Sequence, residues 1–357
     1  MKHVLLLFIA FLLPMTALTQ SAELMSGKNR KVLLDTVQRF EVRERPRPEW
    51  ASSLPPPMAT IVWITDMHLG SSKGAEEATK IALNQLRDEL KPDLVLFTGD
   101  NNKIYDKNDK GPITERCQIW LKRFIDTELN RPYAIIPGDN WPWDFECVFG
   151  SPTRSFDFKG VHFVLTATDA KANRNDSCAI LFKDTKKWLE QDIIDNSDKP
   201  CLLVIHESVF PPSFLDAPWL NSLMGRQPSA LAVLSGHIHM DLEFKRKGYM
   251  QFVCPAMGPT RHPSFKLMQF YPDQIVIRTC ELKGQRYELT PKWQRLKIPE
   301  NLRKSITPEA PAAITNLKTM PVRAKVQDET LASRAKEIDR ALLQAASEFG
   351  LMRLLSK

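Results

Sequence analysis

The chain has 357 residues, of which 43% are hydrophobic, and its formal net charge at pH 7 is +7. This apolar content is enough for a sizeable core, so the composition excludes a disordered or fibrous protein, and the length allows one large domain or two. The lysines and arginines are spread along the chain without a dense block. Such a charge pattern is compatible with anionic substrates but gives no support for a specific nucleic-acid partner.

Residues 1–22 have the organisation of a secretory signal peptide. A short basic start, Met1-Lys2-His3, precedes an unbroken apolar run over residues 4–13, and Pro14 ends that run. The run is too short to span a bilayer, and small or polar residues follow it. We therefore expect a secreted or periplasmic protein with no transmembrane segment in the mature chain. An uncleaved membrane anchor is the second interpretation.

Residues 23–57 are polar and end in three consecutive prolines, which indicates a lead-in that wraps the domain without forming its core. The domain itself is predicted over residues 58–296. It begins with a β-branched, apolar segment over residues 60–65, which is typical of a buried strand. A predicted helix over residues 75–90 and a second buried strand over residues 94–98 follow. Strand, helix and strand in this order indicate a parallel crossover.

The same alternation recurs and predicts an α/β fold. From residue 249 to residue 282, short strands follow one another without helices, which predicts an antiparallel part or a second sheet. The intervening predicted elements are, in chain order, a helix over 115–129, strands over 133–136 and 161–167, a helix over 186–194, and strands over 202–205 and 231–234.

Residues 297–357 differ in character from the domain before them. Four prolines punctuate a linker-like stretch, and residues 329–357 then carry apolar side chains at alternating spacings of four and three. This spacing predicts an amphipathic helix. We expect the helix to fold onto its own domain, and contact with a partner helix or a membrane surface is the alternative.

Residue types that commonly serve as metal ligands follow the predicted strands in five places. In chain order they are Asp66 and His68, Gly99-Asp100, Gly138-Asp139-Asn140, His206, and Gly236-His237-Ile238-His239. A buried strand that ends in a ligand puts this ligand at the edge of a sheet, where several strands can converge on one pair of ions. A carboxylate between two ions lets them lie about 3.5 to 4 Å apart, and Asp100 is the expected bridge. Such a pair polarises a phosphoryl oxygen and lowers the pKa of a bound water to about 7, which predicts in-line attack on a phosphate ester.

The ordered clusters resemble the pattern of the calcineurin-like metallophosphoesterases, which runs Asp-x-His, Gly-Asp, Gly-Asn-His, His and Gly-His-x-His. The resemblance covers residues from about 60 to 260. It implies two packed mixed β-sheets flanked by helices, a four-layer sandwich with a dinuclear site at the sheet edges. It also implies one metal held by Asp66, His68, Asp100 and His239, and another held by Asp100, Asn140, His206 and His237. Manganese, iron and zinc all suit this set of oxygen and nitrogen ligands.

The third cluster departs from the family pattern, because the chain reads Gly138-Asp139-Asn140-Trp141. If Asn140 takes the place of the family's asparagine, Trp141 stands where the histidine should be. If the glycines are aligned instead, Asp139 becomes the ligand and Asn140 replaces the histidine. The resemblance implies that this histidine contacts the phosphate and helps to protonate the leaving group, a role that contributes about 10² to 10⁴ in rate. Asp139 and Trp141 are predicted to contact the substrate.

A replacement for the missing histidine is suggested by Arg261 and His262, which follow a strand-like segment in Gly258-Pro259-Thr260-Arg261-His262-Pro263. Arginine binds a phosphate bidentately, and histidine donates a proton near neutral pH. These two residues are therefore the catalytic candidates. An ordinary surface turn with a basic pair is an equally weighted interpretation.

The resemblance implies a secreted hydrolase that acts on a small phosphate ester. Secreted members include the purple acid phosphatases, which carry a tyrosine three residues after the aspartate of the Gly-Asp block. The chain has Lys103 there, so it looks more similar to the acid-sphingomyelinase-like and uncharacterised secreted branches. The alternatives are a catalytically weakened metal- and phosphate-binding protein that lost its general acid, and a nuclease of the same fold.

Overall fold

The computed structural model describes residues 37–102, 114–138, 145–173, 176–209, 213–258 and 260–321. Several sequence predictions therefore lie outside the described residues. They are the signal peptide, the amphipathic helix over 329–357, the position of Lys103, and the roles of Asp139, Asn140 and Trp141.

The first sheet has six strands and is mixed. Three parallel strands, β1, β2 and β3, form one half, and their uninterrupted burial matches the near-continuous apolar sequence that a covered parallel sheet requires. Three antiparallel strands continue the sheet from β1, in the order β14-β13-β12-β1-β2-β3. The strands are β1 (Ala59–Ile64), β2 (Leu94–Thr98), β3 (Tyr133–Ile136), β12 (Ser264–Tyr271), β13 (Gln274–Lys283) and β14 (Arg286–Lys297).

The second sheet has seven strands in the order β10-β11-β9-β8-β5-β4-β15. Its centre is parallel, from β5 through β8 and β9 to β11, and antiparallel strands lie on both sides. The strands are β4 (Arg154–Phe158), β5 (Val161–Thr166), β8 (Cys201–Ile205), β9 (Ala230–Ser235), β10 (Leu242–Lys245), β11 (Met250–Val253) and β15 (Thr315–Thr319). A separate hairpin joins β6 (Ala170–Asn173) to β7 (Asp176–Ile180).

Helices cover the outer face of each sheet. The α2 helix begins after Ser72, whose side chain accepts a hydrogen bond from the Ala75 amide at 3.2 Å, and it ends in a π-helical turn over Leu86–Leu90. The helices are α1 (Glu49–Ser52), α2 (Lys73–Gln85), α3 (Thr114–Leu129), α4 (Phe145–Phe149), α5 (Lys183–Asp195) and α6 (Ala217–Arg226). Across the described ranges, no helix combines the length and apolar content needed to cross a membrane.

Three apolar clusters hold these layers together. One cluster, with Trp63, Phe163 and Phe270 among its members, fills the space between the two sheets. A second packs the six-stranded sheet against α2 and α3, and a third packs the seven-stranded sheet against α5 and α6. The prediction of two mixed sheets flanked by helices is therefore confirmed.

The chain beyond β14 contributes to the domain, which differs from the linker-like character that its prolines suggested. A 3₁₀ turn, Glu300–Ser305, buries Leu302 in the cluster between the sheets, and β15 pairs with β4. Residues 297–321 are therefore packed at the edge of the seven-stranded sheet. The prolines in this stretch gave no sign of β15, the strand that completes this edge of the sheet.

Candidate metal centre

The ends of strands from both sheets meet at one place. The segments after β1 and β2 are joined by two hydrogen bonds, from Asp66 N to the Gly99 carbonyl at 3.0 Å and from His68 N to the Asp100 carbonyl at 2.8 Å. In the second sheet, Gly236 N donates to the carbonyl of His206 at 2.8 Å. The two sheets are linked there by the His237 amide, which donates to Asp66 Oδ2 at 2.9 Å. Parallel strands deliver their carboxyl ends to one edge, which brings these polar residues together.

The backbone is strained where the ligands lie. A left-handed φ occurs at five of the six described residues that the sequence analysis named as ligands, and such a conformation costs a non-glycine residue of order 1 to 3 kcal/mol. Extended or helical continuation at these positions would carry the side chains away from the junction. The residues and their φ angles are Asp66 (52°), His68 (45°), Asp100 (48°), His237 (73°) and His239 (59°).

Asp66 lies at the centre of the site. Its carboxylate is fully buried, and its Oδ1 atom lies 3.2 Å from His239 Nε2, 3.6 Å from His68 Nε2 and 3.8 Å from His206 Nε2. The other oxygen, Oδ2, accepts hydrogen bonds from the Thr65 hydroxyl at 2.9 Å and from the His237 amide. Oδ2 is therefore fixed by the protein, and Oδ1 faces three imidazoles.

Asp100 faces the same junction from the neighbouring strand. Its Oδ1 lies 3.6 Å from His206 Nε2 and its Oδ2 lies 3.8 Å from His68 Nε2. The ligand atoms form two triplets, Asp66 with His68 and His239, and Asp66 with Asp100 and His206, each with all its atoms within 4.8 Å of one another. Asp66 is common to both, whereas the sequence analysis expected Asp100 to be the shared carboxylate. The assignment of the bridge stays a prediction.

The electrostatics of the cluster favour ionised carboxylate. Burial by itself raises the pKa of Asp66, but the charge of His206 and the hydrogen bonds of His239 and His68 outweigh it and hold this pKa well below its usual range. Burial by itself lowers the pKa of His239. The hydrogen bond and the charge of Asp66 outweigh burial, so the pKa of His239 lies above its usual value. An anionic centre surrounded by imidazole nitrogens is what a divalent cation requires.

His206 is oriented by the backbone. Its Nδ1 donates a hydrogen bond to the Thr98 carbonyl at 2.9 Å, which leaves the Nε2 lone pair directed at the two carboxylates. The ring of His237 lies beside it, with ring centroids 5.2 Å apart and planes at 78°. His237 belongs to neither triplet, so its role as a ligand stays a prediction.

Glycines leave the room that the ligands occupy, among them Gly99, where a β-carbon would lie 2.4 Å from His206 Nδ1. A β-carbon at Gly138 would lie 2.1 Å from Asp100 Oδ1, and one at Gly236 would lie 2.1 Å from the Thr65 hydroxyl and 2.7 Å from Asp66 Oδ2. Contacts this short are incompatible with a side chain. The glycines that precede the ligands in the sequence pattern are therefore needed for close approach.

The residues present fit bound metal. Asp66 Oδ1 is a buried oxygen that faces three imidazole nitrogens, and His68 Nε2 lies 3.1 Å from His239 Nε2, so that two ring nitrogens face each other. A cation can accept the lone pairs of several such atoms at once. A proton shared in a hydrogen bond joins only one donor to one acceptor. Carboxylate and imidazole together suit manganese, iron or zinc.

The two catalytic candidates belong to neither ligand triplet. The His262 side chain is 71% exposed, and its Nδ1 lies 2.9 Å from Glu281 Oε1. Arg261 is exposed and lines a surface cavity of about 570 Å³ between Thr260 and the start of α2. Their catalytic role stays a prediction.

Some features of the site had no sequence signal. The Thr98 carbonyl that orients His206 is a backbone group, and Thr65, which binds Asp66, is an ordinary strand residue in the sequence. The Gly-Asp and Gly-His spacing gave the only available hint, because a glycine before a ligand indicates close packing.

Known proteins with a similar sequence or structure identify the family of this chain. The model of the family described as calcineurin-like phosphoesterase matches residues 59–241. A 3',5'-cyclic adenosine monophosphate phosphodiesterase of Haemophilus influenzae, CpdA, is 24% identical over 275 residues, which cover 67% of this chain and 94% of that protein. A dimetal phosphatase from Danio rerio has the same fold, with a TM-score of 0.52 and 13% identity over 68% of this chain and 99% of that one. The chain therefore belongs to the calcineurin-like phosphoesterase family and is a hydrolase of phosphate esters.

Proposed function

We propose that this protein is an exported phosphoesterase that uses two metal ions to hydrolyse a small phosphate ester. The observation that carries the proposal is the pair of ligand triplets that share Asp66 Oδ1. The proposed ligands are Asp66, His68, Asp100, His206, His237 and His239, with Asn140 or Asp139 from the third cluster. When bound, the ions supply Lewis acidity toward the phosphoryl group and a hydrolytic nucleophile near neutral pH.

The protein's own residues keep the site ready for this chemistry. Asp66 and Asp100 bring two negative charges into a buried position, and the left-handed backbone fixes their direction. The Thr98 carbonyl holds the Nδ1 proton of His206, so that its Nε2 is available as a ligand. This preorganisation avoids reorganising ligands during turnover.

The test is metal analysis of the mature protein together with parallel assays on chromogenic monoesters and diesters. Cyclic nucleotides belong in the diester panel because the relative from Haemophilus influenzae is named for that activity. Asp100→Ala and His237→Ala should abolish turnover, whereas Lys122→Ala, which removes an exposed ion pair with Asp126, should not. Metal-loaded protein without turnover on either panel would contradict the proposal.

A weakened binding protein is the second candidate, because the family histidine is replaced in the third cluster. Restoring it by Trp141→His should raise the rate by up to about 10² to 10⁴ if only the general acid is missing. An unchanged rate, with tight binding of a phosphorylated ligand, would favour the binding function. His262→Ala and Arg261→Ala measured beside it show whether these residues protonate or bind the substrate.

Export is proposed from the first 22 residues alone. Expression with the full N-terminus should give a mature chain that begins near residue 23, as N-terminal sequencing and intact mass would show. Retention of residues 1–22 in membranes would instead favour the uncleaved anchor.

A further inference from the structure

A buried ion pair lies behind the loop that carries His239. Lys266 on β12 is fully buried, and its ammonium donates to Asp241 Oδ1 at 2.5 Å and to the Gln294 side-chain oxygen. Asp241 is itself buried and lies two residues after His239. An ammonium in this position is costly to desolvate, so the pair is retained only where it is held in good geometry.

Asp241 is held from three strands of the other sheet. The Thr279 hydroxyl on β13 donates to its Oδ2 at 2.6 Å, and Lys292 Nζ on β14 lies 3.7 Å from the same oxygen. Its carbonyl accepts a hydrogen bond from Val42 N at 2.8 Å. Asp241 itself precedes β10 of the seven-stranded sheet, so this carboxylate fastens one sheet to the other immediately beside the metal centre.

The loop between β9 and β10 is therefore fixed at both ends. Its first end is bound by Gly236 N to the His206 carbonyl and by His237 N to Asp66 Oδ2. Its second end is bound by Asp241 to Lys266. Between these anchors His239 has a left-handed φ of 59° and places Nε2 3.2 Å from Asp66 Oδ1. A strained backbone conformation persists only where the surrounding structure holds it in place, and here the loop is held on both sides of His239.

We infer that Lys266, acting through Asp241, is a positioning residue that holds His239 in its ligand geometry. The inference rests on the proposed metal centre and assigns to it a pair that lies outside the proposed set of ligands. If the pair were purely structural, its loss would affect folding stability alone. If it positions His239, its loss should change metal affinity and coordination even in a variant whose folding stability equals that of the parent.

The experiment separates these two roles with a charge-neutral double variant, Lys266→Met/Asp241→Asn. Replacing both partners avoids leaving one charge buried alone, so the melting temperature should stay near that of the parent. Co²⁺ affinity, measured by titration of metal-stripped protein, should fall about 10- to 100-fold, the usual cost of losing support around a ligand. The visible Co²⁺ spectrum should also change as the His239 nitrogen leaves the ion.

Two further variants keep the test decisive. Met268→Ala removes a buried side chain two residues along the same strand and should lower the melting temperature while leaving the Co²⁺ affinity and spectrum unchanged. Thr279→Val deletes only the hydrogen bond to Asp241 and should weaken Co²⁺ binding in the same direction by a smaller factor. Thr279→Val also serves as the folded probe should the double variant fail to fold.

Three results decide the matter. Parent-like Co²⁺ binding in both the double variant and Thr279→Val overturns the inference, as does an equal loss of affinity in Met268→Ala. If either result is found and the parent still binds metal and hydrolyses phosphate esters, the proposed function stands and only the positioning role of Lys266 and Asp241 is rejected. A parent that binds no metal overturns the proposed function and this inference together.

Discussion

The Oδ1 atom of Asp66 lies 3.2 Å from the Nε2 atom of His239, although the two residues follow strands of different sheets. The contact closes the junction between the sheets, and the same oxygen also faces His68 and His206. Because Asp66 belongs to both ligand triplets, the two ions of the proposed centre should depend on it together.

Asp66→Asn should therefore remove both metals. The amide carries no charge, so the triplet with His68 and His239 loses its only carboxylate, and the triplet with His206 keeps only that of Asp100. Metal analysis should give a stoichiometry close to zero, and hydrolysis of a chromogenic ester should be lost with the metal. His239→Asn, which affects one triplet only, is the matched comparison and should leave one ion bound. Equal stoichiometry in both variants would contradict the shared role of Asp66.

Gly138→Ala should impair the site through sterics alone. The added β-carbon would lie 2.1 Å from Asp100 Oδ1 and 2.2 Å from the Asp100 amide nitrogen, so Asp100 must move away from its present position. We expect a loss of metal affinity together with a destabilisation of about 1 to 3 kcal/mol. Gly74→Ala is the control, because its β-carbon meets nothing within 4 Å inside α2 and should stabilise the helix by about 0.5 to 1 kcal/mol. Thermal unfolding and metal titration of both variants check this.

The sequence predicted the strands and helices that a local pattern of apolar residues marks. The strands β2 and β3 begin and end where apolar runs predicted, and the ligands follow them because strand ends at one sheet edge converge. It did not predict β4, where Arg154 and Asp157 are buried, because charged side chains in a short segment do not read as a buried strand. The pairing of Lys266 with Asp241 was equally invisible, since each residue alone reads as an exposed charge.

Arg154 should be essential for the segment that follows β3. Its guanidinium is buried and donates to the carbonyls of Phe149 and Ser151, each at 3.1 Å, and to that of Ile135. Burial lowers its pKa to about 10, so it remains charged at neutral pH. Arg154→Met leaves these carbonyls without their donor and should reduce the free energy of unfolding by about 2 to 4 kcal/mol. Urea unfolding measures this, with Arg123→Met on α3 as the control. A loss below about 1 kcal/mol would show that water replaces the guanidinium.

Acid should destabilise the protein through two carboxylates that flank His162. Its Nδ1 lies 2.8 Å from Asp157 Oδ1 and its Nε2 lies 3.0 Å from Asp192 Oδ2, and Lys199 and Lys318 pair with the same carboxylates. Burial raises the pKa of each aspartate, but these hydrogen bonds outweigh it, and both pKa values lie below the usual range.

A carboxylate with a lowered folded-state pKa stabilises the protein above its unfolded pKa, about 3.9, and this stabilisation is lost as the pH falls through the folded value. The melting temperature of the parent should therefore decline as the pH falls below about 4. Asp192→Asn should start from a lower melting temperature and show a shallower decline in that window, because only Asp157 remains beside His162 to be protonated there. Asp126→Asn, which changes an exposed carboxylate on α3, should keep the parental slope. Thermal unfolding at constant ionic strength measures the three slopes, and a parental slope in Asp192→Asn would show that the acid sensitivity arises elsewhere.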